Sequence, residues 1–241
     1  MLHCLMEKNF SISVIVPFFN EEITIEESVN SLVRLDVFKE IILVDNCSTD
    51  NSRKIVDLKF GTLENVIIIS AFEKQGKGYC LQKGLTQVTS THVVVHDADL
   101  EYNPQDLREM ISLAIDHPDD LILGSRIIGK KNRINKYFYT KFFNKVFSLY
   151  FSILNIYRVS DISTCYQINS LSKLKQMNIE EIGFGIEVEI LSKNIKMGYK
   201  ILEVPIEYSG RTYREGKKIK ILDAISIFYK ILKYSKLNFF F

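Results

Sequence analysis

Three acidic residues, Asp97, Asp99 and Glu101, follow a run of valines at positions 93–95. Such a β-branched run predicts a buried strand of a parallel sheet. Side chains alternate along a strand, so Asp97 and Asp99 are predicted to leave on the same side, roughly 6–7 Å apart, with the small Ala98 between them. Carboxylates of this kind hold Mg²⁺ or Mn²⁺ together with phosphate oxygens and water. The stretch predicts a divalent-cation site for a nucleotide substrate; the alternative is a solvated turn at a strand end.

Four further polar clusters also stand at the ends of predicted strands. The strands are predicted at residues 12–16, 41–44, 66–69 and 121–123, and the clusters that follow them are Asn20 with Glu21, Asp45 with Ser48, Lys74 with Lys77, and Ser125 with Arg126. In parallel sheets, ligands bind at the carboxyl ends of the strands, so we expect all five clusters to share one site. Taken alone, the loop 45–50 would also be explained as a helix cap, and Gly76 and Gly78 as turn glycines.

The elements that must position these residues alternate between strand and helix. That alternation predicts an α/β fold with a mostly parallel sheet and helices on both faces. The 241 residues are enough to bury the core of one large domain. We predict this domain over residues 1–215 and a basic amphipathic helix over residues 216–241. An edge strand is predicted at residues 201–206, because Pro205 cannot donate a hydrogen bond to a neighbouring strand.

The composition argues against several classes of protein. A net charge of +2 gives no reason to expect nucleic acid as a partner, and the four cysteines lack the paired spacing of zinc sites and disulfide frameworks. A reducing cytosol therefore fits the sequence best. We also expect neither a signal peptide, because Pro17 interrupts the first apolar run, nor a membrane span, because no run of about 18 apolar residues occurs.

Two segments in the second half of the chain suit the surface of a membrane. Residues 136–157 are rich in aromatic side chains interleaved with Lys141 and Lys145, a pattern of interfacial helices that an ordinary core helix would also explain. The tail 219–241 is basic and amphipathic, and it would either lie on an anionic bilayer or pack on the domain. Before it, the basic loop 211–218 is able to grip phosphate.

The ordered set of motifs resembles the family 2 glycosyltransferases with a GT-A fold, in the branch of dolichyl-phosphate mannose synthase and bacterial polyprenyl-phosphate glycosyltransferases. The resemblance extends over about residues 11–234. It is carried by the first-strand motif at 15–21, the nucleotide loop at 44–50, the glycines around Lys77, the acidic stretch 97–101, residues 124–126, the polar segment 161–167, and residues 203–206 followed by Arg211.

The resemblance implies roles for individual residues. It implies nucleotide-sugar binding by Pro17, Phe19, Glu21, Asp45, Ser48, Lys77, Asp97 and Ala98, and divalent-cation binding by Asp97, Asp99 and Glu101. It also implies that Arg126, Arg133 and Arg211 face the acceptor and donor phosphates. We predict catalytic roles for Asp99, Arg126 and Asp161. The sequence departs from the family pattern at Asn46, where an acid is common, and at Gln167, where Arg or Lys is usual. It also lacks the two C-terminal transmembrane helices of some relatives.

The predicted function is that of an inverting, metal-dependent hexosyltransferase. It would move a sugar from a UDP- or GDP-sugar to a polyprenyl phosphate, while peripherally bound to the cytoplasmic face of the membrane. Such an acceptor is already ionised, so it needs positioning by arginines more than a base. The alternative is extension of a saccharide of a surface polysaccharide or glycolipid, for which Asp161 would serve as the general base unless it is a loop or cap residue. A non-enzymatic α/β binding domain is disfavoured, because the first strand ends in Pro17, Phe18 and Phe19 instead of an acidic pair.

Overall fold

Strands and helices alternate through the first half of the chain in the computed structural model, which describes residues 10–129, 131, 133–134, 138–211 and 221–237. The strands are β1 (Ile12–Phe18), β2 (Glu40–Asp45), β3 (Val66–Ser70), β4 (His92–Val95), β5 (Leu121–Ser125), β6 (Arg133–Ile134), β7 (Gln167–Ser170), β8 (Ile201–Pro205) and β9 (Tyr208–Ser209). The helices are α1 (Ile25–Leu35), α2 (Ser52–Phe60), α3 (Lys77–Leu85), α4 (Asp106–Asp116), α5 (Phe138–Asn155), α6 (Leu171–Gln176), α7 (Ile186–Lys196) and α8 (Ile221–Tyr234).

Seven of the strands form one sheet in the order β3-β2-β1-β4-β7-β5-β8. Its described pairs are parallel except those of β7, which runs antiparallel to both β4 and β5. This arrangement confirms the predicted mostly parallel α/β sheet and places β8 at an edge, as Pro205 indicated. The short strands β6 and β9 pair with each other in a second sheet.

Strand β7 was not predicted from the sequence. Its four residues include one large apolar side chain, Ile168, so no apolar run marks it as a strand. The polar side chains of Gln167 and Asn169 are nevertheless buried, because β7 lies between β4 and β5. The Asn169 side chain is satisfied there by the Asn194 amide of α7, at 3.0 Å. The neighbours supply both the burial and the hydrogen bonds that a buried polar strand requires.

Two apolar cores lie on the two faces of the sheet. One is built from α1, α2 and α4 against alternate residues of β1 such as Val14 and Val16. The other takes Ile15 of the same strand and packs it with α3, α5 and α7. Each fully buried aliphatic side chain in these cores contributes roughly 1.5–3 kcal/mol. The two-sided burial explains why the strand sequences are continuously apolar.

The predicted aromatic segment 136–157 contains α5, which belongs to the core on one side, whereas its contact with a membrane stays a prediction. Phe147 and Phe151 are buried in the core, whereas other apolar side chains of the helix are exposed. Helix α8 packs beside α5, with the Tyr150 and Phe228 rings stacked at 4.2 Å. The proposed boundary between residues 215 and 216 lies outside the described residues, as do residues 212–218 of the basic loop. None of the helices described is both long and apolar enough to cross a bilayer.

Candidate active site

The carboxyl ends of β1, β2 and β4 meet at one edge of the sheet, as predicted. Phe18 pairs with Asp45, and the main-chain N–H of His96 donates to Ile15 just before the acidic stretch. Each of these strands is followed by a non-glycine residue in the left-handed region, namely Asn20 (φ 51°), Cys47 (φ 62°) and Leu100 (φ 59°). Such conformations cost roughly 1–2 kcal/mol each and persist where surrounding contacts enforce them, typically at functional sites.

The predicted nucleotide loop is locked to the end of β1 by hydrogen bonds. The N–H of Ser48 donates to the Asp45 carboxylate at 2.9 Å, and the Ser48 hydroxyl accepts the N–H of Asn20 at 3.1 Å. The side-chain oxygen of Asn46 accepts the N–H of Gln75 at 3.1 Å. The structure thus brings together three of the predicted clusters, those after β1, β2 and β3. The side chains of Asp45 and Asn46 thus accept main-chain N–H groups that define the shape of the loop.

The half-buried Phe19 and the exposed Lys74 form a pair beside this loop. The Lys74 ammonium stands 3.7 Å from the centroid of the Phe19 ring, within the range of a cation–π interaction. Pro17 lies one residue before the end of β1, and Ala98 is buried beneath the acidic stretch. Of the residues predicted to bind the nucleotide sugar, Pro17 and Ala98 therefore support the site through the main chain and packing, while Phe19 presents a ring.

Asp97 is held by a buried lysine. The Lys77 ammonium, at the start of α3, stands 2.7 Å from one Asp97 oxygen and 3.0 Å from the other. It also stands 2.7 Å from Glu187, in the first turn of α7. Although burial alone would lower the pKa of Lys77, the carboxylates of Asp97 and Glu187 hold it well above its usual value. Burial likewise opposes ionisation of Asp97, and Lys77 keeps the pKa of Asp97 below its usual value.

Asp99 and Glu101 are held by Arg211 and Tyr208. The Arg211 guanidinium bonds the Glu21 carboxylate at 3.0 and 3.3 Å and reaches Asp99 at 3.3 Å. Glu101 accepts the Tyr208 hydroxyl at 2.5 Å and the main-chain N–H of Arg211 at 2.6 Å. These contacts hold β9, the last strand that the structure describes, and Arg211 after it against the ends of β1 and β4.

The acidic stretch has an excess of negative charge. Burial, with the charges of Asp97 and Glu101, raises the pKa of Asp99 to about 7, despite the opposing effect of Arg211. Among the described residues, no three histidine, cysteine or acidic side chains converge as a ready-made metal site. Mg²⁺ bound with a nucleotide diphosphate needs only one or two protein carboxylates, because phosphate oxygens and water complete its ligands. Asp97 and Asp99 fit that kind of site, while Glu101 faces Tyr208 instead.

Arg126 and Asp161 form a buried ion pair behind Tyr102 and Tyr208. Two guanidinium nitrogens donate to the two Asp161 oxygens at 2.7 Å each, and the Asp161 side chain is fully buried. Arg126 also donates to the Tyr102 hydroxyl at 3.1 Å and lies 4.9 Å from the centroid of the Tyr208 ring. Burial opposes ionisation of both groups, but their pairing lowers the pKa of Asp161 and raises that of Arg126.

This arrangement differs from the roles predicted for the pair. An Asp161 whose two oxygens hold a guanidinium is poorly placed to take a proton from an acceptor, and its pKa is lowered. Arg126 is likewise committed to a buried partner instead of an open surface that would receive a phosphate. The described geometry favours a positioning role, in which the pair supports Tyr208 and, through it, Glu101.

The remaining predicted residues are placed in part. The main chain of Arg133 pairs with Tyr208 through β6 and β9, which brings it near Arg211, but its side chain lies outside the description. Gln167 donates to two main-chain oxygens, those of Thr164 and Glu187, while its buried side-chain oxygen has no partner among the described residues. The partner of Lys77, Glu187, was not predicted as a site residue. Its position in the first turn of a helix was the available signal, and it does not distinguish a site residue from a helix-stabilising acid.

Comparisons with known proteins agree with this fold. The model of the family described as glycosyl transferase family 2 matches residues 13–177. The chain is 28% identical over 240 residues to UDP-N-acetylglucosamine--dolichyl-phosphate N-acetylglucosaminyltransferase of Methanococcus voltae, covering 92% of this chain and 94% of that protein. It is 28% identical over 232 residues to dolichol-phosphate mannosyltransferase of Pyrococcus furiosus, covering 92% and 64% respectively.

Solved structures give the same result for the architecture. Glucosyl-3-phosphoglycerate synthase from Mycobacterium tuberculosis, in complex with Mn²⁺, UDP-glucose and phosphoglyceric acid, is similar with a TM-score of 0.74 at 17% sequence identity. The match covers 93% of this chain and 79% of that chain. At this level of identity the likeness shows the fold alone.

Proposed function

Since this chain belongs to glycosyltransferase family 2, we propose that it transfers a hexosyl unit from a nucleotide-diphosphate sugar to a polyprenyl phosphate. The two relatives described above carry names that specify dolichyl or dolichol phosphate as acceptor, and each matches more than nine tenths of this chain. The observation that carries the proposal is structural. An acidic pair suited to a nucleotide diphosphate stands in the same molecule as an exposed apolar surface suited to a lipid.

The nucleotide-sugar donor would bind at the acidic stretch. Asp97 and Asp99 would hold a divalent cation, either Mg²⁺ or Mn²⁺, that stabilises the negative charge of the departing nucleotide diphosphate. In support, burial and the neighbouring charges of Asp97 and Glu101 raise the pKa of Asp99, and a bound cation would favour its charged form. The locked loop around Asp45 and Ser48 is the surface offered to the nucleoside.

The acceptor end requires no strong base. A phosphate monoester has a second pKa of about 6, so it is mostly ionised near neutral pH and able to attack the anomeric carbon directly. A single displacement of this kind inverts the anomeric centre. The commitment of Asp161 to Arg126 agrees with this mechanism, because no proton need be removed from the acceptor. Arg211, at the acidic stretch, is the described arginine best placed to orient a phosphate.

The membrane-facing part of the proposal concerns α5 and α8. Exposed apolar side chains lie along both helices, including Leu149 and Ile153 of α5 and Ile225 and Phe228 of α8. Helix α8 is tied to the segment before α7 by the Lys230–Glu181 ion pair at 2.8 Å. The exposed Ile182 and Phe184 belong to that segment. It leads directly into α7, whose first turn contains Glu187 of the site. We propose that this apolar surface rests on the cytoplasmic face of the membrane, where it would present the site to the lipid phosphate.

A transfer assay tests the proposed function. Purified protein, Mn²⁺ or Mg²⁺, and radiolabelled UDP- and GDP-sugars would be combined with undecaprenyl phosphate, and label would be followed into the organic phase. We expect one donor to label the lipid, and the label to be lost when the cation is chelated. The matched control omits the lipid phosphate and replaces it with undecaprenol, which lacks the anionic nucleophile.

Each alternative outcome identifies the step that fails. Donor hydrolysis without labelling of lipid would retain the glycosyltransferase and move the acceptor to a saccharide. Full lipid labelling in excess chelator would contradict the cation assignment. Equal labelling of undecaprenol and undecaprenyl phosphate would contradict the role given to the phosphate.

A further inference from the structure

Each of the two basic side chains at the acidic stretch joins two carboxylates, only one of which belongs to the Asp97 and Asp99 pair. Lys77 stands 2.7 Å from Asp97 and 2.7 Å from Glu187. Arg211 stands 3.3 Å from Asp99 and 3.0 Å from Glu21. Each acid of the pair is therefore matched by an outlying carboxylate on a different element of the fold.

The lysine arrangement is the more buried of the two. The Lys77 side chain is 11% exposed, and both Asp97 oxygens lie within hydrogen-bond distance of its ammonium. A cation that binds Asp97 would compete with that ammonium for the same two oxygens. A buried ammonium left without a partner is strongly destabilising, by several kcal/mol. Withdrawal of Lys77 from Asp97 therefore costs least where Lys77 keeps another partner.

We propose that Glu187 is a positioning residue: it keeps the Lys77 ammonium ion-paired when the Asp97 carboxylate binds a divalent cation. This inference rests on the proposed function, because it takes Asp97 as a cation ligand. With Glu187 present, the exchange breaks one ion pair of Lys77 and leaves the other intact. Without the Glu187 charge, Lys77 would depend on Asp97 alone and would compete with the cation for it.

Glu187 is not needed to hold the start of α7 in place. The neighbouring Glu189 already fastens this region, because its fully buried carboxylate accepts the N–H groups of Glu180 and Glu181 and pairs with Lys193. The contact described for the Glu187 carboxylate is instead with Lys77. Its side chain is 12% exposed, nearly the same as the 11% of Lys77, so the two charges share one environment.

The test is a double-mutant cycle read by metal binding instead of by activity. Mn²⁺ alone would be titrated into the native protein and the variants, with free Mn²⁺ measured by electron paramagnetic resonance. We expect E187Q to weaken Mn²⁺ binding at least tenfold. K77M is expected to bind at least as tightly as the native protein, and K77M/E187Q to bind like K77M, because removal of the competing ammonium makes Glu187 unnecessary.

A matched control removes the same charge nearby. Glu180 is about half exposed and pairs with Lys233 at 3.6 Å, outside the acidic stretch. E180Q is therefore expected to bind Mn²⁺ as the native protein does. A general loss of attraction for cations would instead weaken E180Q and E187Q alike, which would overturn the proposal.

Three results would contradict the inference. Native affinity in E187Q would overturn it, and so would an equal loss from E187Q in the native and K77M backgrounds, since Glu187 would then act through its own charge. Should E187Q fail to fold, K77M alone decides, because binding weaker than native would overturn the proposal. Absence of Mn²⁺ binding by the native protein would overturn the cation assignment of the proposed function, and this inference with it.

Discussion

Asp99 is the residue at which local sequence and buried environment act together. It follows a strand as one of a pair of acids. Burial, with the charges of Asp97 and Glu101, raises its pKa to about 7 against the opposing charge of Arg211. The ionised form of a carboxylate in this position would be stabilised by an additional positive charge. Its replacement is therefore expected to affect cation and donor use more than stability.

We predict that Asp99→Ala lowers kcat/KM for sugar transfer at least a hundredfold and leaves the thermal unfolding midpoint within a few degrees of the native value. The substitution removes a carboxylate that is disfavoured by its neighbours, so the fold loses little. Steady-state kinetics and circular dichroism would measure the two quantities. Asp116→Ala, at the exposed end of α4, is the control and is expected to change neither. Full activity in Asp99→Ala would contradict the cation assignment.

His96 is a buried residue whose contribution depends on pH. Its ring nitrogens lie 2.9 Å from the Tyr166 hydroxyl and 3.1 Å from the Ser28 hydroxyl. Burial lowers the pKa of His96 to about 4, against the opposing attraction of Asp97. Since the unfolded chain binds the proton more readily, the folded state loses stability as pH falls from about 6.5 to about 4.

We predict that His96 accounts for about 3 kcal/mol of the decrease in unfolding free energy between pH 7 and pH 4. Urea unfolding at both pH values would measure it in the native protein and in His96→Gln, which is expected to show a correspondingly smaller decrease. His117→Gln is the control, because its side chain is about half exposed. Identical pH dependence in the native protein and His96→Gln would contradict the prediction.

At the scale of elements, the start of α3 is fixed by its close approach to the segment before α7. A Cβ atom on Gly78 would overlap the carbonyl oxygen of Glu181, and one on Gly76 would lie 2.5 Å from that of Ile182. Gly76 also has a φ of 144°, which favours glycine. These two glycines allow Lys77, between them, to reach both Asp97 and Glu187.

We predict that Gly78→Ala lowers the unfolding free energy by about 1–3 kcal/mol, because the main chains of α3 and residue 181 would have to separate. Chemical denaturation would measure the change. Gly183→Ala, on the facing segment, is the control: its Cβ would meet the flexible end of the Glu181 side chain at 3.2 Å, so we expect a change near zero. Equal stability of the two variants would show that the close approach is not required.

At the scale of the whole molecule, α5 and α8 present apolar side chains that the core does not cover. Leu149 is 64% exposed and Ile153 is 61% exposed, on the same helix that buries Phe147 and Phe151 in the core. One helix thus packs on the domain and also offers an apolar surface. The proposed membrane contact requires this second property only.

We predict that Leu149→Ser/Ile153→Ser weakens binding to phosphatidylglycerol-containing vesicles at least tenfold, because a buried aliphatic side chain contributes roughly 1.5–3 kcal/mol. Vesicle co-sedimentation would measure binding, and thermal unfolding should be unchanged because both residues are exposed. Leu58→Ser is the control, because it makes the same type of substitution at a 73% exposed position of α2. This variant should bind as the native protein does. Native binding by the double variant would move the membrane contact away from α5.

The sequence by itself determined the features that depend on neighbouring residues. Apolar runs and helical periodicity identified β1, β2, β3, β4, β5 and β8 and the helices that alternate with the first five strands, because burial of a regular element imposes a regular spacing of apolar side chains. Helices α6 and α7 were not predicted. The strand ends then predicted a common edge, where the structure pairs Ser48 with Asp45 and Lys77 with Asp97. Strand β7 escaped prediction because its burial comes from its neighbours and not from apolar residues of its own.

Only the tertiary structure decided how the charged side chains are paired. Arg211 reaches Glu21 across 190 positions of sequence, and Asp161 is taken by Arg126 instead of standing free as a base. Lys77 is shared between Asp97 and Glu187, which lie on different elements. The physical reason is that the free energy of a buried charge depends on the distance to its nearest opposite charge, and that distance is fixed by the packing of elements that are remote in sequence.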